Sequence, residues 1–376
     1  MTRRPLDVGS HSRRAVFSSA GDRVAFAVGA DIVVHDLRSG ALVRRLVGHE
    51  GPVEMFAFSR DDRRLVSGAV DRTVRTWNLR SGQSEVYAGF DGIVTEVELL
   101  ADDRSILAVS SVGEVRLFEP RRAGRVVTDH AAATTGLALS VDGRAASIDD
   151  RGRLRIVDLD GRLLAEHPVP RAPQLHLVSA PDGRSFAGLA RAWVTVADGR
   201  HPDRAAPPAT LLFGSFDAVA PTRVELPAAA LELAWLVDGS AVVVALVDGT
   251  TLQIDHTATL VERARFAAPA TSLAVAPDGT WLALGSEAGE LRLVELAGGR
   301  HRDLEPHQER VTALAFSADA SRLASGCADH TARLWRLQDD SFRAFDVGAT
   351  ASSSSPSRPT APSCSSSAAA RRTCVA

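Results

Sequence analysis

Two stretches of the 376-residue chain place a histidine, a serine and an aspartate in the same order and at matching spacing. They are His49, Ser67 and Asp71, then His307, Ser325 and Asp329. These residue types could do hydrolase chemistry, in which an aspartate orients a histidine and the histidine takes the proton of a nucleophilic serine. Each set, however, ends in a tryptophan, Trp77 or Trp335, on an alternating apolar segment. A hydrolase has no need of a second complete triad, nor of a tryptophan closing each one. The duplication favours a structural hydrogen-bond network, and no catalytic residue is assigned.

The elements that carry these sets repeat along the chain. An apolar alternating strand, a polar turn and a second apolar strand recur as FAFSRDDRRLVSGA, LAVAPDGTWLALGS, LAFSADASRLASGC and five more degenerate copies. Equivalent turn positions are Ala20, Asp61, Asp102, Asp142, Asp182, Asp238, Asp278 and Asp319, with successive spacings of 41, 41, 40, 40, 56, 40 and 41. A period of about 40 residues suits four-stranded propeller blades. Third strands follow, as in TVRTWNL (Thr73 to Leu79) and TARLWRL (Thr331 to Leu337), and then short fourth strands such as ALVRRLVGH. No segment has a sustained helical period, so almost no helix is expected. The fold class is all-β, a β-propeller of four-stranded antiparallel blades. Eight blades are expected, with seven as the alternative if a degenerate unit within 160–257 forms none. One such meander alone leaves both faces uncovered, whereas a ring of them buries both.

The second and eighth units resemble the WD-repeat (WD40) family, here of a bacterial type. GHEGPV, SGAVDRTVRTW and PHQERV, SGCADHTARLW carry the likeness, and His49 to Phe58 has the same spacing as His307 to Phe316. The resemblance implies that His49, Ser67, Asp71 and Trp77, and likewise His307, Ser325, Asp329 and Trp335, form a hydrogen-bonded tetrad within each blade. Other units depart from it. Phe90 and Phe266 replace the histidine in the third and seventh, with Val112 and Ala288 at the aspartate position. The fourth keeps His130 and Ser147 but has Arg151 and Val157 for the aspartate and tryptophan. Those blades must lean on apolar packing.

Composition narrows the function classes. Arginine supplies all 43 basic residues and Asn78 is the sole asparagine, a bias that suggests a high-GC bacterial genome and removes lysine chemistry. A net charge of −3 argues against nucleic-acid binding, which requires a basic surface. Cys327, Cys364 and Cys374 form no CxxC pair, so neither a disulfide framework nor a metal site is expected, and no cofactor either. The N-terminal segment lacks the apolar run of a signal peptide, and Ala241 to Val247 is too short to cross a bilayer. A cytoplasmic monomer without membrane contact is expected.

The domain reading is a propeller over 1–346 and a Ser/Pro/Ala-rich tail over 347–376. That tail is expected to be disordered, either as such or as the product of a reading-frame change. The 56-residue interval implies an insertion of about fifteen residues within 198–230, around LLFGSF, that either binds a partner or is an elongated fourth strand with a passive loop. Residues 3–11 are expected to close the ring by pairing with the third strand of the eighth unit, leaving SFRAFDV surplus. The functional expectation is a non-catalytic scaffold for protein partners. Candidate contacts at the loops of one face are Glu50, Arg72, Gln308, Glu309, Arg310 and His330. Two alternatives are kept. One is a lactonase- or quinoprotein-like propeller enzyme, poorly supported because Glu54, Glu96 and Glu232 sit on first strands at unequal steps. The other is a fragment of a longer WD-repeat protein.

Overall fold

The computed structural model describes residues 15–346, apart from 38, 40, 101, 120–123, 131, 173, 192–205, 218 and 330. Its strands form eight antiparallel four-stranded sheets, each joining sequence neighbours in order. Blades 1 to 8 span residues 15–46, 53–87, 94–129, 134–168, 174–225, 230–265, 270–304 and 311–346. The seven-blade alternative falls, because blades 5 and 6 form within the degenerate region.

Alternation in the second strands explains the ring. In Arg64–Ala69, Leu65 packs into a cluster shared with blade 1, while its neighbour Val66 packs into one shared with blade 3. Successive side chains leave a strand on opposite faces, so a wholly apolar strand serves two neighbours at once. Eight buried clusters result, one at each blade interface. The last joins Val24, Phe26 and Val33 of blade 1 to Ala313, Ala324 and Leu334 of blade 8, so the ring is closed. First strands line the axis. Fourth strands form the rim and are the most exposed, as in Leu260–Arg265.

The turns carry the register. The residue after each marked turn position has a left-handed backbone in all eight blades, glycine in five and Asp62, Asp103 or Ala320 in three. The marked aspartates cap these turns, as Asp61 accepts from Arg63 N at 3.0 Å and from Ser59 Oγ at 2.5 Å. That short side-chain turn is why Asp recurs there.

Two expectations need correction. The edge of the blade 8 third strand that residues 3–11 were to fill is paired with Ser341–Asp346, so SFRAFD is the ordinary fourth strand of its own blade. Residues 3–11 themselves lie outside the described residues. Closure therefore rests on side-by-side packing, reinforced by Arg322 Nη1 donating to Leu37 O at 3.1 Å and by Arg343 donating to Ser39 O. The insertion is also displaced. TLLFGS is the third strand of blade 5, Thr210–Ser215, and the extra length falls in its second-to-third connection, residues 192–209. The 347–376 tail lies outside the described residues.

Candidate functional site

His49 is buried at the end of the ring where second-to-third and fourth-to-first connections gather. Its Nδ1 lies 2.8 Å from Asp71 Oδ2, and its Nε2 lies 2.8 Å from Ser67 Oγ. Trp77 Nε1 donates to the same hydroxyl at 2.8 Å. Register explains the meeting: Ser67 stands opposite Phe56 on one side and Arg75 on the other, in the middle of the sheet. Asp71 sits in the following turn, where Thr73 Oγ1 and Glu50 N also donate to it. Burial lowers the histidine pKa, against the opposing pull of Asp71. Burial works against the Asp71 carboxylate too, yet the donors around it hold its pKa below the usual value. The Ser67 hydroxyl is fully buried, so it offers no nucleophile to a substrate.

Blade 8 has the same four residues and only part of this arrangement. His307 Nε2 lies 2.7 Å from Ser325 Oγ, and Trp335 Nε1 donates to that oxygen at 2.9 Å. Asp329 accepts instead from Thr331 N and Oγ1, at 2.9 and 2.7 Å, and His307 Nδ1 is left without a hydrogen-bond partner. Burial, followed by the Arg333 guanidinium, lowers the His307 pKa to about 4. Beside it the thiol of Cys327 is fully buried and donates to Glu309 O at 3.2 Å.

Blade 4 brings a different acid towards its histidine, also without closing a hydrogen bond to Nδ1. His130 Nε2 lies 2.7 Å from Ser147 Oγ, while its Nδ1 is 3.5 Å from Asp149 Oδ2. Asp149 is at the end of the second strand, not in the turn, and accepts from Arg153 N and Nε at 2.8 Å each. It was missed because the family pattern directs attention to Arg151; an acid two residues after Ser147 was the available signal. Blades 3 and 7 replace the network by packing, with Arg116 over the Phe90 ring at 5.5 Å and Arg292 over Phe266 at 5.0 Å.

Glu50 and Arg72 are exposed beside the blade 2 tetrad, Arg72 with a left-handed backbone, φ 65°. Gln308 and Glu309 are exposed and Arg310 half-buried at the matching edge of blade 8. The structure thus brings the candidates into two groups flanking blade 1; His330 lies outside the described residues. The first strands of all eight blades enclose a channel cavity of about 1030 Å³. Glu96, His176 and Glu232 share one level in it, each six residues before its turn position, and His176 Nε2 lies 3.7 Å from Glu96 Oε1. Glu54 is out of step because it sits in a bulge between Val53 and Met55.

The family described as "WD domain, G-beta repeat" matches residues 40–78 and 298–336, the segments that hold the two four-residue sets. The molecule is an eight-bladed propeller, two segments of which match the WD repeat. Transducin beta-like protein 3 from Bos taurus is 23% identical over 319 residues, 77% of this chain and 37% of the relative. Periodic tryptophan protein 2 from Arabidopsis thaliana is 30% identical over 111 residues, 29% of the chain and 12% of the relative. The U3 small nucleolar RNA-associated protein 21 homolog of Schizosaccharomyces pombe is 38% identical over 78 residues, 20% of the chain and 9% of the relative. The chain therefore spans well under half the length of these curated relatives. All three are eukaryotic, which gives no support to the bacterial reading of the composition. The crystal structure of the computationally designed Ika8 protein superposes with a TM-score of 0.71 at 21% identity, covering 87% of this chain and 96% of that one.

Proposed function

We propose that this propeller is a scaffold that docks other proteins, without a catalytic step of its own, at the end of the ring that carries the histidine clusters. One observation carries the reading: the triad-like residues are buried as internal hydrogen bonds, while the polar side chains around them face outward on a closed frame. Loops held by such a frame present a contact surface with little ordering cost on binding. The WD-repeat relatives support the reading as a class. The name of one of them refers to a small nucleolar RNA, which suggests an RNA–protein assembly as a setting. The net charge of −3 favours contact with the protein part of such an assembly. The cytoplasm, which keeps a buried thiol such as Cys327 reduced, is the proposed compartment, and the monomer the proposed form.

The test is capture of partners from the native cell by the full chain, read by mass spectrometry. Glu50→Arg with Arg72→Asp, and separately Glu309→Arg with Arg310→Glu, should weaken recovery of a specific partner by about tenfold or more while leaving Tm unchanged. Equal recovery by wild type and both double variants would refute docking at this end.

A further inference from the structure

The difference between blades 2 and 8 has a chemical content. In blade 2, His49 Nδ1 is hydrogen-bonded from the turn by Asp71; in blade 4, Asp149 at the strand end stands 3.5 Å from His130 Nδ1 without closing a bond. Both positions are filled in blade 8 by ligand types. Cys327 pairs with Val311 as Asp149 pairs with Thr134, and Asp329 corresponds to Asp71. Neither closes a hydrogen bond to His307 Nδ1, on a side chain that is 4% exposed. An unpartnered polar atom at that depth is costly, so a group that fills the gap has a driving force. One ligand atom each from His307, Cys327 and Asp329 lies within 4.8 Å of the others. Among the described residues no other set of three does so.

We propose that blade 8 binds one zinc-class divalent cation through His307, Cys327 and Asp329, where blade 2 holds a hydrogen-bonded histidine–aspartate pair. Nitrogen, thiolate sulfur and carboxylate oxygen are the donor set of tetrahedral zinc, with bonds of about 2.0–2.3 Å. Ligand atoms around such an ion stand about 3.5 Å apart, so closure asks for side-chain shifts of about 1 Å. Water or the Glu309 carbonyl, which already meets Cys327 Sγ, supplies the fourth position. A neutral imidazole nitrogen and a carboxylate bind a metal without losing a proton, so the thiol is the group that gives one up. The S–H bond breaks, the sulfur–metal bond forms and one proton leaves to solvent. With the metal on Nδ1, the imidazole proton resides on Nε2 and is donated to Ser325 Oγ, which fixes the ring.

The experiment uses the full chain with Cys364→Ser and Cys374→Ser, so that Cys327 is its one thiol. Metal-free protein is titrated with Zn²⁺ alone by calorimetry in two buffers of different ionisation enthalpy. One ion per chain, about one proton released and a raised Tm are expected. Co²⁺ in place of Zn²⁺ should show a thiolate-to-cobalt charge-transfer band. Cys327→Ala restores the residue type that blade 2 has at Ala69 and should fold normally. It should lose that band and bind about 100-fold or more weakly, and Asp329→Asn about tenfold or more weakly. No uptake at micromolar metal, a cobalt spectrum without the thiolate band, or unchanged affinity in Cys327→Ala would each overturn the assignment.

Discussion

Blades 2 and 7 fill the same place in the ring by opposite means. Blade 2 threads Asp71, His49, Ser67 and Trp77 into one hydrogen-bonded line, whereas blade 7 sets Phe266 under the Arg292 guanidinium. Arg75 also lies over Trp77, at 5.7 Å, so the cation over a ring is shared and the polar line is the addition. The difference teaches that the ring is held by interface packing, while the tetrad fixes how one turn sits on its sheet. A buried network of this kind is costly when half made. Blades 3 and 7 avoid that cost by dropping both the histidine and the aspartate, with Val112 and Ala288 in place of the acid.

The sharpest way to break the comparison is to move one blade's solution into the other. His49→Phe installs the blade 7 residue in blade 2 but takes one buried partner each from Ser67 Oγ and Asp71, which keep Trp77 Nε1 and the Glu50 and Thr73 donors. It should cost about 2–4 kcal/mol in denaturant unfolding, and adding Ser67→Ala and Asp71→Val should recover part of that. A loss below about 1 kcal/mol would mean the polar line carries no stability.

A second comparison sets the buried histidines against the blades that lack them. Folded His130 and His307 have pKa values of about 4, below the 6.5 of the unfolded chain, so between these values the unfolded state binds more protons. Their contribution is complete above about pH 6.5 and declines as pH falls towards 4, on the order of 1 kcal/mol per pH unit for each histidine. Urea midpoints measured from pH 7 to 4.5 should fall, and His130→Gln should flatten the slope by about half. An equal slope in the variant would refute the assignment.

The smallest effect separates the two tetrad blades. Asp71→Val removes the acceptor of His49 Nδ1 and should cost about 1–3 kcal/mol. Asp329→Val removes the turn contacts to Thr331 and the contact with the Cys327 thiol, and should cost about 0.5–1.5 kcal/mol in metal-free protein. Equal costs would show that His307 and Asp329 are joined in solution.

Much of this was legible in the residues. The recurring turns, with aspartate at seven of the eight marked positions, marked all eight blades, because a tight polar turn between two apolar strands tolerates few residue types. His49 with Ser67 and His307 with Ser325 were readable as partners from their spacing. Asp149 was not, since it reaches His130 from a strand end that the pattern leaves blank. LLFGSF stood inside the expected insertion; packing made Thr210–Ser215 a third strand, with Pro221 and Pro227 just outside the fourth.

By itself the chain's alternation determined strands, their number and the closed array, since period-2 apolar faces are covered only by neighbours of the same kind. Tertiary structure decided what those positions do. Identical letters in blades 2 and 8 end in different bonds, because a hydrogen bond or a ligand set depends on tenths of an ångström in how a turn settles on its sheet. Residue spacing along the chain does not encode that distance.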